Sequence, residues 1–426
     1  MRDEQNQLPR LKPTLGLFDA TAISVGAIVG AGIFVVTGIT AGYAGSALVI
    51  SMLIAAVISL FTALSLAELT AWLPKEGSVY EFGYELLSPF AGFLAGWMWM
   101  LSNTFAGAAV SLGFAYYFAD LFPTLPPQLV AAALCIAFAA LNFFGIKQSV
   151  LFNNFLVSTK LIILAFFCIF GLLHANTANF VPFMPLQAGV FAGAFYVFFA
   201  YGGFGRVAVV AEEVKDAARN VPRAIILSLA ISTVFYIAVG AIAVALVGAT
   251  QLSHSNSPLA EAISIAESPI AVQIVSAGGL LATASVLLMS ILGVSRMAYA
   301  MARRRDLPQP LSRLHLRYNT PYYAVWITGV SMALLVLVTD LSNVVAVSTF
   351  AMLFYYTSAN VSALRMPKEN RLYHNIVPVL GAATCLALLG LVLVISEQAW
   401  VIGLASLAAG AIYYFAKERV ATKKPP

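Results

Sequence analysis

Two glycine clusters interrupt apolar stretches of the sequence and could expose backbone groups that bind a ligand. They are Gly26, Gly30 and Gly32 in residues 22–38, and Gly202, Gly203 and Gly205 in residues 195–205. Glycine breaks helices easily, and a broken helix leaves N–H groups and carbonyls without helical partners. In an apolar environment, such groups are tolerated only where they line a cavity or find polar partners. Each cluster is therefore a candidate binding site.

Close packing of helices is the alternative explanation for these glycines. Gly26 and Gly30 have the small-xxx-small spacing that lets two helices approach each other. Gly202 and Gly203 are adjacent, however, so they cannot both face one packing neighbour. An interrupted helix explains both clusters.

The two ends of a helix break carry opposite partial charges, which suits a zwitterion. An α-amino acid would place its carboxylate on N–H groups freed by Gly30 and its ammonium on freed carbonyls. The expected donors are the N–H groups of Ala31, Gly32 and Ile33, and the expected acceptors are carbonyls near Ile28, Phe199 and Gly202.

Lys160 is an isolated charge within the apolar stretch 149–173, with no acidic residue within a helical turn. A charged side chain at the centre of a membrane helix costs on the order of 3 kcal/mol on insertion scales. Burial disfavours the ammonium form, so Lys160 could bind and release a proton. There are two alternatives: a permanently charged structural cation, or snorkelling to a surface that Asn153 and Asn154 place within two turns.

The composition requires the elements around these residues to be membrane helices. Of the 426 residues, 61% are hydrophobic and 10% are charged, with a mean hydropathy of +0.90. Apolar runs of roughly 20 residues recur, which predicts an all-α integral membrane protein with twelve transmembrane helices. The predicted spans are 16–40, 45–72, 86–118, 128–145, 149–173, 188–212, 223–249, 270–300, 322–338, 342–364, 374–395 and 398–416. We expect the first span to be retained, because it lacks the cleavage site of a signal peptide.

The placement of charges predicts a multi-pass protein of the cell membrane with both termini cytoplasmic. In this orientation the inner loops hold basic clusters such as 303–305, and the outer loops hold no Lys or Arg. The net charge of +5 then reflects membrane topology, and we expect no nucleic-acid partner.

The interrupted spans are the first and the sixth, which predicts two five-helix repeats of inverted topology around a midplane site. The predicted units are a cytoplasmic N-terminal segment (1–15), the first repeat (16–173), the second repeat (188–364), two peripheral helices (374–416) and a cytoplasmic tail (417–426).

Four motifs resemble the amino acid, polyamine and organocation superfamily. They are VGAIVGAGIF (25–34), SLAELTAWLPKEGSVYEFGYE (65–85), FFAYGGFG followed by AEEVKDAARNVPRAI, and AYAMARRRDLPQPLSRLHLRYNTPYYAVW (298–326). The resemblance covers nearly the whole chain. It implies the leucine-transporter-type fold, with discontinuous helices 1 and 6 and alternating access.

A further stretch, LNFFGIKQSVLFNNFLVSTKLIIL (141–164), resembles prokaryotic proton-coupled amino acid transporters with a lysine in helix 5. The resemblance implies that the ammonium of Lys160 faces the Gly26 carbonyl and the Ser285 hydroxyl, with Thr283 nearby. Related exchangers keep this lysine without proton coupling, so both modes of transport stay open.

Side chains from four spans are expected to line the pocket or close it. The expected pocket residues are Phe199, Tyr201 and Phe204 as apolar walls, with Asn103, Thr104 and Ser290 as polar contacts. The resemblance implies that Phe199 is the occluding aromatic. The expected gating residues are Glu68, Arg206, Glu212, Glu213 and Arg296, through ion pairs near the cytoplasmic end. Ordinary packing and interfacial salt bridges without a switching role are the alternatives.

Together these features predict a secondary active transporter of amino acids, with neutral substrates and broad specificity, driven by proton symport. Gly205 lies where some arginine and agmatine exchangers have an acid, which disfavours cationic substrates. A proton-independent exchanger, a cationic amino acid or polyamine transporter and, more remotely, a sensor or channel are the alternatives. No His has metal-ligand spacing, so we expect no enzyme, no metal and no cofactor besides the proton. The expected partners are the amino acid and the lipid bilayer.

Overall fold

The computed structural model describes residues 13–75, 77–122 and 124–422. These residues form helices joined by turns, and their only β-type pairing is an isolated bridge between Leu15 and Val214. The predicted all-α class is therefore confirmed. The predicted terminal segments lie partly outside the described residues, at 1–12 and 423–426.

The described residues of the first half of the chain form eight α-helices. They are α1 (Leu17–Ile28), α2 (Ala31–Phe34), α3 (Val36–Ala44), α4 (Leu48–Trp72), α5 (Val79–Leu86), α6 (Pro89–Leu121), α7 (Pro127–Phe143) and α8 (Ile146–Leu172). The first predicted span is divided among α1, α2 and α3, and it ends at Ala44 instead of residue 40. The short helix α5, absent from the prediction, lies between the second and third spans.

In the second half, nine α-helices lie within the part that the structure describes. They are α9 (Ala188–Tyr201), α10 (Arg206–Val209), α11 (Ala217–Ser253), α12 (Pro258–Ser264), α13 (Pro269–Arg303), α14 (Tyr322–Val338), α15 (Leu341–Arg365), α16 (Ile376–Ile395) and α17 (Glu397–Thr422). The predicted sixth span (188–212) is divided between α9 and α10, with a 3-10 turn after α10. The predicted seventh span corresponds to the longer α11, which bends at Gly248, where φ is +75°.

Many of these helices have the length and apolarity of membrane spans. Within the described part of the chain, eight helical segments are long and apolar enough to cross a bilayer, and α7, α9 and α14 are shorter apolar helices. The protein is therefore a multi-pass membrane protein. The count of twelve crossings and the inverted repeat stay predictions.

The interior of the bundle is built from α1, α6, α13 and α15. Helix α6 packs along α13 and α15, and α1 contacts α8, α11 and α13. In the most apolar 18-residue stretch of each helix, the buried share is 78% for α13 and for α15, compared with 28% for α16 and 22% for α17. Helices α16 and α17 thus lie at the outside of the bundle, where most of their surface is available to lipid.

An ion-pair cluster ties α5 to the end of α13. The guanidinium of Arg304 donates to both carboxylate oxygens of Glu81, at 2.9 and 2.5 Å, and to Glu85 at 3.0 Å. The Tyr80 hydroxyl donates to Asp306 at 2.6 Å, and Lys417 of α17 donates to the same carboxylate. Burial, followed by the Asp306 carboxylate, raises the pKa of the Tyr80 hydroxyl, which therefore stays protonated and remains a donor.

Two glycines let α5 pack backbone to backbone against the start of α6. A Cβ on Gly92 would lie 2.5 Å from the backbone nitrogen of Tyr84 and 2.8 Å from the carbonyl oxygen of Tyr80. A Cβ on Gly83 would lie 2.8 Å from the Cα of Gly92. Backbone atoms cannot rotate away as a side chain can, so this contact excludes a larger residue.

The substitution Gly92→Ala should therefore lower stability by roughly 1–3 kcal/mol, the usual cost of forcing an extra methyl into a packed interface. The measurement is thermal unfolding of the protein in detergent. Gly390→Ala in α16 is the matched control, since a Cβ there meets no atom within 4 Å. Equal melting temperatures for the two variants would contradict the contact.

Candidate functional site

The first helix break leaves backbone groups of α1 and α2 without helical partners. The last backbone hydrogen bond of α1 runs from Val29 N–H to Val25 O (2.9 Å), and the next one runs from Phe34 N–H to Gly30 O (3.1 Å). The carbonyls at the end of α1 and the amides that precede Phe34 therefore need other partners.

The ammonium of Lys160 takes two of these carbonyls. Lys160 is completely buried on α8. Its Nζ donates to the Gly26 carbonyl at 3.1 Å, to the Val29 carbonyl and to the Ser285 hydroxyl at 3.1 Å. This position excludes snorkelling to the membrane surface. Among the described residues, no carboxylate forms a salt bridge with Lys160, so its charge is stabilised by dipoles alone.

Asn153 completes this cluster, although the sequence offered it only as a marker of the helix end. It is fully buried, and its amide donates to Ala22 O at 3.0 Å. Its Oδ1 lies 3.0 Å from the Ser285 hydroxyl, which also lies 3.1 Å from Gly26 O. Because Ser285 has one proton to donate and accepts from Lys160, it binds only one of these oxygens at a time.

Thr283, expected nearby, forms no hydrogen bond with Lys160 among the described residues. Its hydroxyl donates to Gly279 O at 2.7 Å, on its own helix. Thr283 and Ser285 are two residues apart on α13, so their side chains point to different sides of the helix.

The second break brings Gly203 directly against the first. Between α9 and α10, the N–H groups of Gly202, Phe204 and Arg206 bond to carbonyls three residues back, at 3.0–3.3 Å. A Cβ on Gly203 would lie 2.4 Å from the carbonyl carbon of Ala27 and 2.5 Å from the nitrogen of Ile28. Only glycine permits this approach of the two interrupted helices.

Tyrosine hydroxyls bind carbonyls at both breaks. Tyr236 of α11 donates to Ile28 O at 2.7 Å and lies 3.2 Å from Ala200 O, so it bridges the two interrupted helices. Tyr356 of α15 donates to Gly202 O at 2.9 Å. These hydroxyls satisfy carbonyls that would otherwise be bare in the protein interior.

A cavity of about 30 Å³ lies between the two breaks. Its lining residues are Ala27, Ile28, Gly32, Ser102, Asn103, Ala106, Val110, Phe199, Ala200, Gly202, Gly203, Arg206, Val286, Ser348, Met352 and Tyr355. A buried water needs about 10–15 Å³ on this measure, so the cavity holds only a few water-sized groups. A larger ligand can enter only if the lining moves.

Six residues of the predicted substrate pocket line this cavity. They are Ile28, Gly32, Asn103, Phe199, Gly202 and Gly203. Arg206, predicted as a gating residue, also lies in the cavity wall. Their roles in binding stay predictions.

Other predicted pocket residues lie outside the cavity lining. The Thr104 hydroxyl donates to Met100 O at 2.8 Å, and Thr104 faces an apolar groove between α6 and α14 instead. On α6, Asn103 lines the cavity and Thr104 does not. Phe204 stacks on Tyr356 with 5.0 Å between ring centroids, and Tyr201 packs against Tyr236 at 4.9 Å.

Three further predicted contacts are packed into helix interfaces. A Cβ on Gly30 would lie 2.1 Å from Cγ2 of Val286, so this glycine is needed for contact with α13. Ile33 and Ser290 are buried but do not line the cavity. The backbone of Ala31 begins α2, and its side chain lies outside the described part of the structure.

The predicted ion-pair network is only partly formed. Arg296 Nε donates to Glu213 at 2.9 Å, with side chains that are 1% and 3% exposed. Glu212 pairs with Arg303 at 3.4 Å. Glu68 instead accepts the N–H groups of Leu372 and Tyr373, both at 2.7 Å.

Arg206 also differs from the prediction, because it pairs with no carboxylate among the described residues. Its Nη2 donates to Asn103 Oδ1, and its guanidinium carbon lies 5.6 Å from the centroid of the Trp99 ring. Of the expected partners of Glu68, Glu212 and Glu213, Arg296 forms an ion pair, whereas Arg206 forms none among the described residues.

Comparison with known proteins identifies the family of this chain. The model of the amino acid permease family matches residues 15–416. The chain belongs to the amino acid permease family. The predicted superfamily membership is therefore confirmed over nearly the whole chain.

Several relatives of the permease align along most of their length. The branched-chain amino acid permease BcaP of Bacillus subtilis is 34% identical, with 97% of this chain and 94% of the relative covered. An uncharacterized transporter of Mycobacterium tuberculosis is 34% identical over 94% and 89% of the two chains. The methylthioribose transporter of Bacillus subtilis is 31% identical over 90% and 89%.

The permease also contains site residues that sequence analysis missed. Ser348, Met352 and Tyr355 line the cavity from α15. Their spacing of four and three residues is that of one helix face, and two of them are polar in an apolar span. This spacing of partly polar residues on one helix face was the sequence signal that could have identified them as lining residues.

The buried pair Glu213–Arg296 should be a strong stability determinant of the permease. Removing one partner, by Glu213→Gln or Arg296→Met, breaks this buried charge pair and should cost on the order of 3–5 kcal/mol. The double variant should recover most of this loss. Thermal unfolding in detergent provides the measurement, and Lys75→Met, which removes an exposed partner of Glu85 (3.8 Å), is the control. A double variant no more stable than the singles would show that the two charges act independently.

Proposed function

We propose that the permease is a secondary active transporter that carries amino acids across the cell membrane by alternating access. The proton is the coupling ion, and no other cofactor takes part. The observation that carries this proposal is the meeting of two helix breaks at one buried cavity, next to a buried ammonium. Family membership supports the class of substrate.

The α-carboxylate of the substrate is proposed to bind the free amides at the start of α2, from Ala31 to Ile33. Gly32 lines the cavity, and these amides have no acceptor within α2. The α-ammonium is proposed to bind carbonyls near Ile28, Phe199 and Gly202. Two of these carbonyls already accept tyrosine hydroxyls, but a carbonyl oxygen has two lone pairs and can accept a second donor.

Lys160 is proposed to couple proton binding to the position of α1. A protonated lysine has three N–H groups, which match its three acceptors on α1 and α13. A neutral amine has only two, so proton release removes one of the three donated hydrogen bonds and weakens the hold on the break. Phe199 at the cavity wall and the Glu213–Arg296 pair are the proposed occluding and gating elements.

The same geometry favours one second candidate, a proton-independent exchanger. All three acceptors of Lys160 suit a permanently charged ammonium, which would then only hold the α1 break together. A cationic amino acid or polyamine is the poorer substrate, because Arg206 already places a positive charge in the cavity wall. Neutral amino acids of varied size are the proposed substrates.

The membrane arrangement belongs to this proposal. The protein would have twelve crossings in the leucine-transporter arrangement, with a 5+5 inverted repeat, peripheral α16 and α17, and both termini cytoplasmic. The low burial of α16 and α17 supports their peripheral position.

An uptake assay at two external pH values tests substrate class and coupling together. Unlabelled amino acids compete with labelled leucine for entry into proteoliposomes, with and without an inward proton gradient. We expect the gradient to raise uptake severalfold for the wild type and to have no effect on Lys160→Ala. The control is Lys215→Ala, since Lys215 is an exposed lysine at the start of α11.

The outcomes separate the two candidates. Saturable uptake and counterflow that do not depend on the proton gradient would exclude proton symport and favour the exchanger. Binding without any flux would instead indicate a sensor and overturn the transport proposal.

A further inference from the structure

Arg206 is a buried cation in the wall of the central cavity. It is 5% exposed, and it is the only charged residue among the described residues that line this cavity. Its Nη1 has no hydrogen-bond partner among the described residues, and no described carboxylate pairs with it. Arginine is always charged in proteins, so this charge cannot be removed by loss of a proton.

The surroundings hold Arg206 in place without neutralising it. Asn103 accepts from Nη2, and the Trp99 ring faces the guanidinium. Gly293 of α13 makes room for the side chain, since a Cβ there would lie 2.8 Å from both Cδ of Arg206 and the Trp99 ring. These contacts hold the arginine side chain in place. Its Nη1 donor has no acceptor among the described residues, and its positive charge has no counter-charge there.

Other polar groups in the cavity wall do not compensate Arg206. The hydroxyls of Ser102 and Ser348 each donate to the other residue's carbonyl, both at 2.8 Å. Other residues of the lining are apolar, and they include Ala106, Val110 and Met352. A buried charge without a counter-charge is costly, so a ligand that supplies an acceptor gains more here than one that does not.

We propose that Arg206 is a specificity-determining residue whose Nη1 binds an oxygen acceptor at the end of the substrate's side chain. This inference rests on the proposed function, because it takes the cavity to be the amino acid site. The apolar lining contacts the methylene groups, and Arg206 contacts the terminal oxygen. The preferred substrates then have a side-chain carboxylate or amide, and cationic side chains are excluded by like charge.

This inference departs from the broad, neutral specificity proposed above, because it favours acidic side chains as well as amide ones. An apolar side chain of the same length still fits the lining, but it leaves the Nη1 donor unpaired. A hydrogen bond to a charged group is worth enough to change affinity about tenfold or more. Side chains that end in oxygen should therefore bind at least about tenfold more tightly than apolar ones of equal length.

The test uses four amino acids of similar length: glutamate, glutamine, norleucine and lysine. Binding is measured as ligand-induced thermal stabilisation of the whole protein in detergent, over a range of ligand concentrations. For the wild type we expect glutamate and glutamine to bind more tightly than norleucine, and lysine not to bind. For Arg206→Met, the preference for glutamate and glutamine over norleucine should fall about tenfold.

The matched control is Arg313→Met, which removes an exposed arginine far from the cavity lining and should keep the wild-type order. Equal binding of glutamate, glutamine and norleucine by the wild type would overturn the inference while leaving amino acid transport intact. An unchanged preference in Arg206→Met would overturn it as well. If Arg206→Met does not fold, the order of the four binding affinities measured for the wild type decides the test alone. If none of these amino acids binds, and neither do leucine, alanine and serine, the proposed function fails and the inference fails with it.

Discussion

The ammonium of Lys160 and the open carbonyls at the end of α1 depend on each other. A bare carbonyl in the membrane interior is costly, and so is an unpaired ammonium. The contacts with Gly26 and Val29 remove both costs at once, and Ser285 supplies the remaining acceptor. This interaction fixes α8 and α13 around α1, and the cavity exists because α1 can stay interrupted at that level.

The second interrupted helix is positioned by contact with the first. Gly203 touches the backbone of Ala27 and Ile28, so the two breaks cannot be displaced independently without opening a gap. Tyr236 adds a directional link, since its single hydroxyl proton lies within reach of a carbonyl from each helix. Backbone atoms thus form most of the shared surface. Side chains from α6 and α15 close the remaining sides, and they are the part of the site that can vary with substrate.

The sequence predicted the helical class and the broken helices, because composition and glycine clustering are local signals. The contacts of Lys160 with Gly26 and Ser285 were implied only by the family resemblance. The sequence could not predict which side of a helix faces the cavity. Asn103 lines the cavity and Thr104 does not, although the two are adjacent and both polar. The partners of Glu68 could not be predicted either, because they are backbone amides of Leu372 and Tyr373, about 300 residues away in the chain. Asn153 was recognised only as polar, since its hydrogen bonds depend on how α8 meets α1 and α13.

The narrow cavity affects how affinity should be interpreted. At about 30 Å³, it must widen before an amino acid can occupy it. The apparent dissociation constant then equals the intrinsic one divided by the fraction of molecules that are already widened. Two residues can thus alter affinity by different routes: one touches the ligand, whereas the other changes only how often the site is accessible. Met352, whose sulfur would lie 2.2 Å from a Cβ at Gly202, lines the cavity and has a flexible side chain, so it is placed to act by both routes.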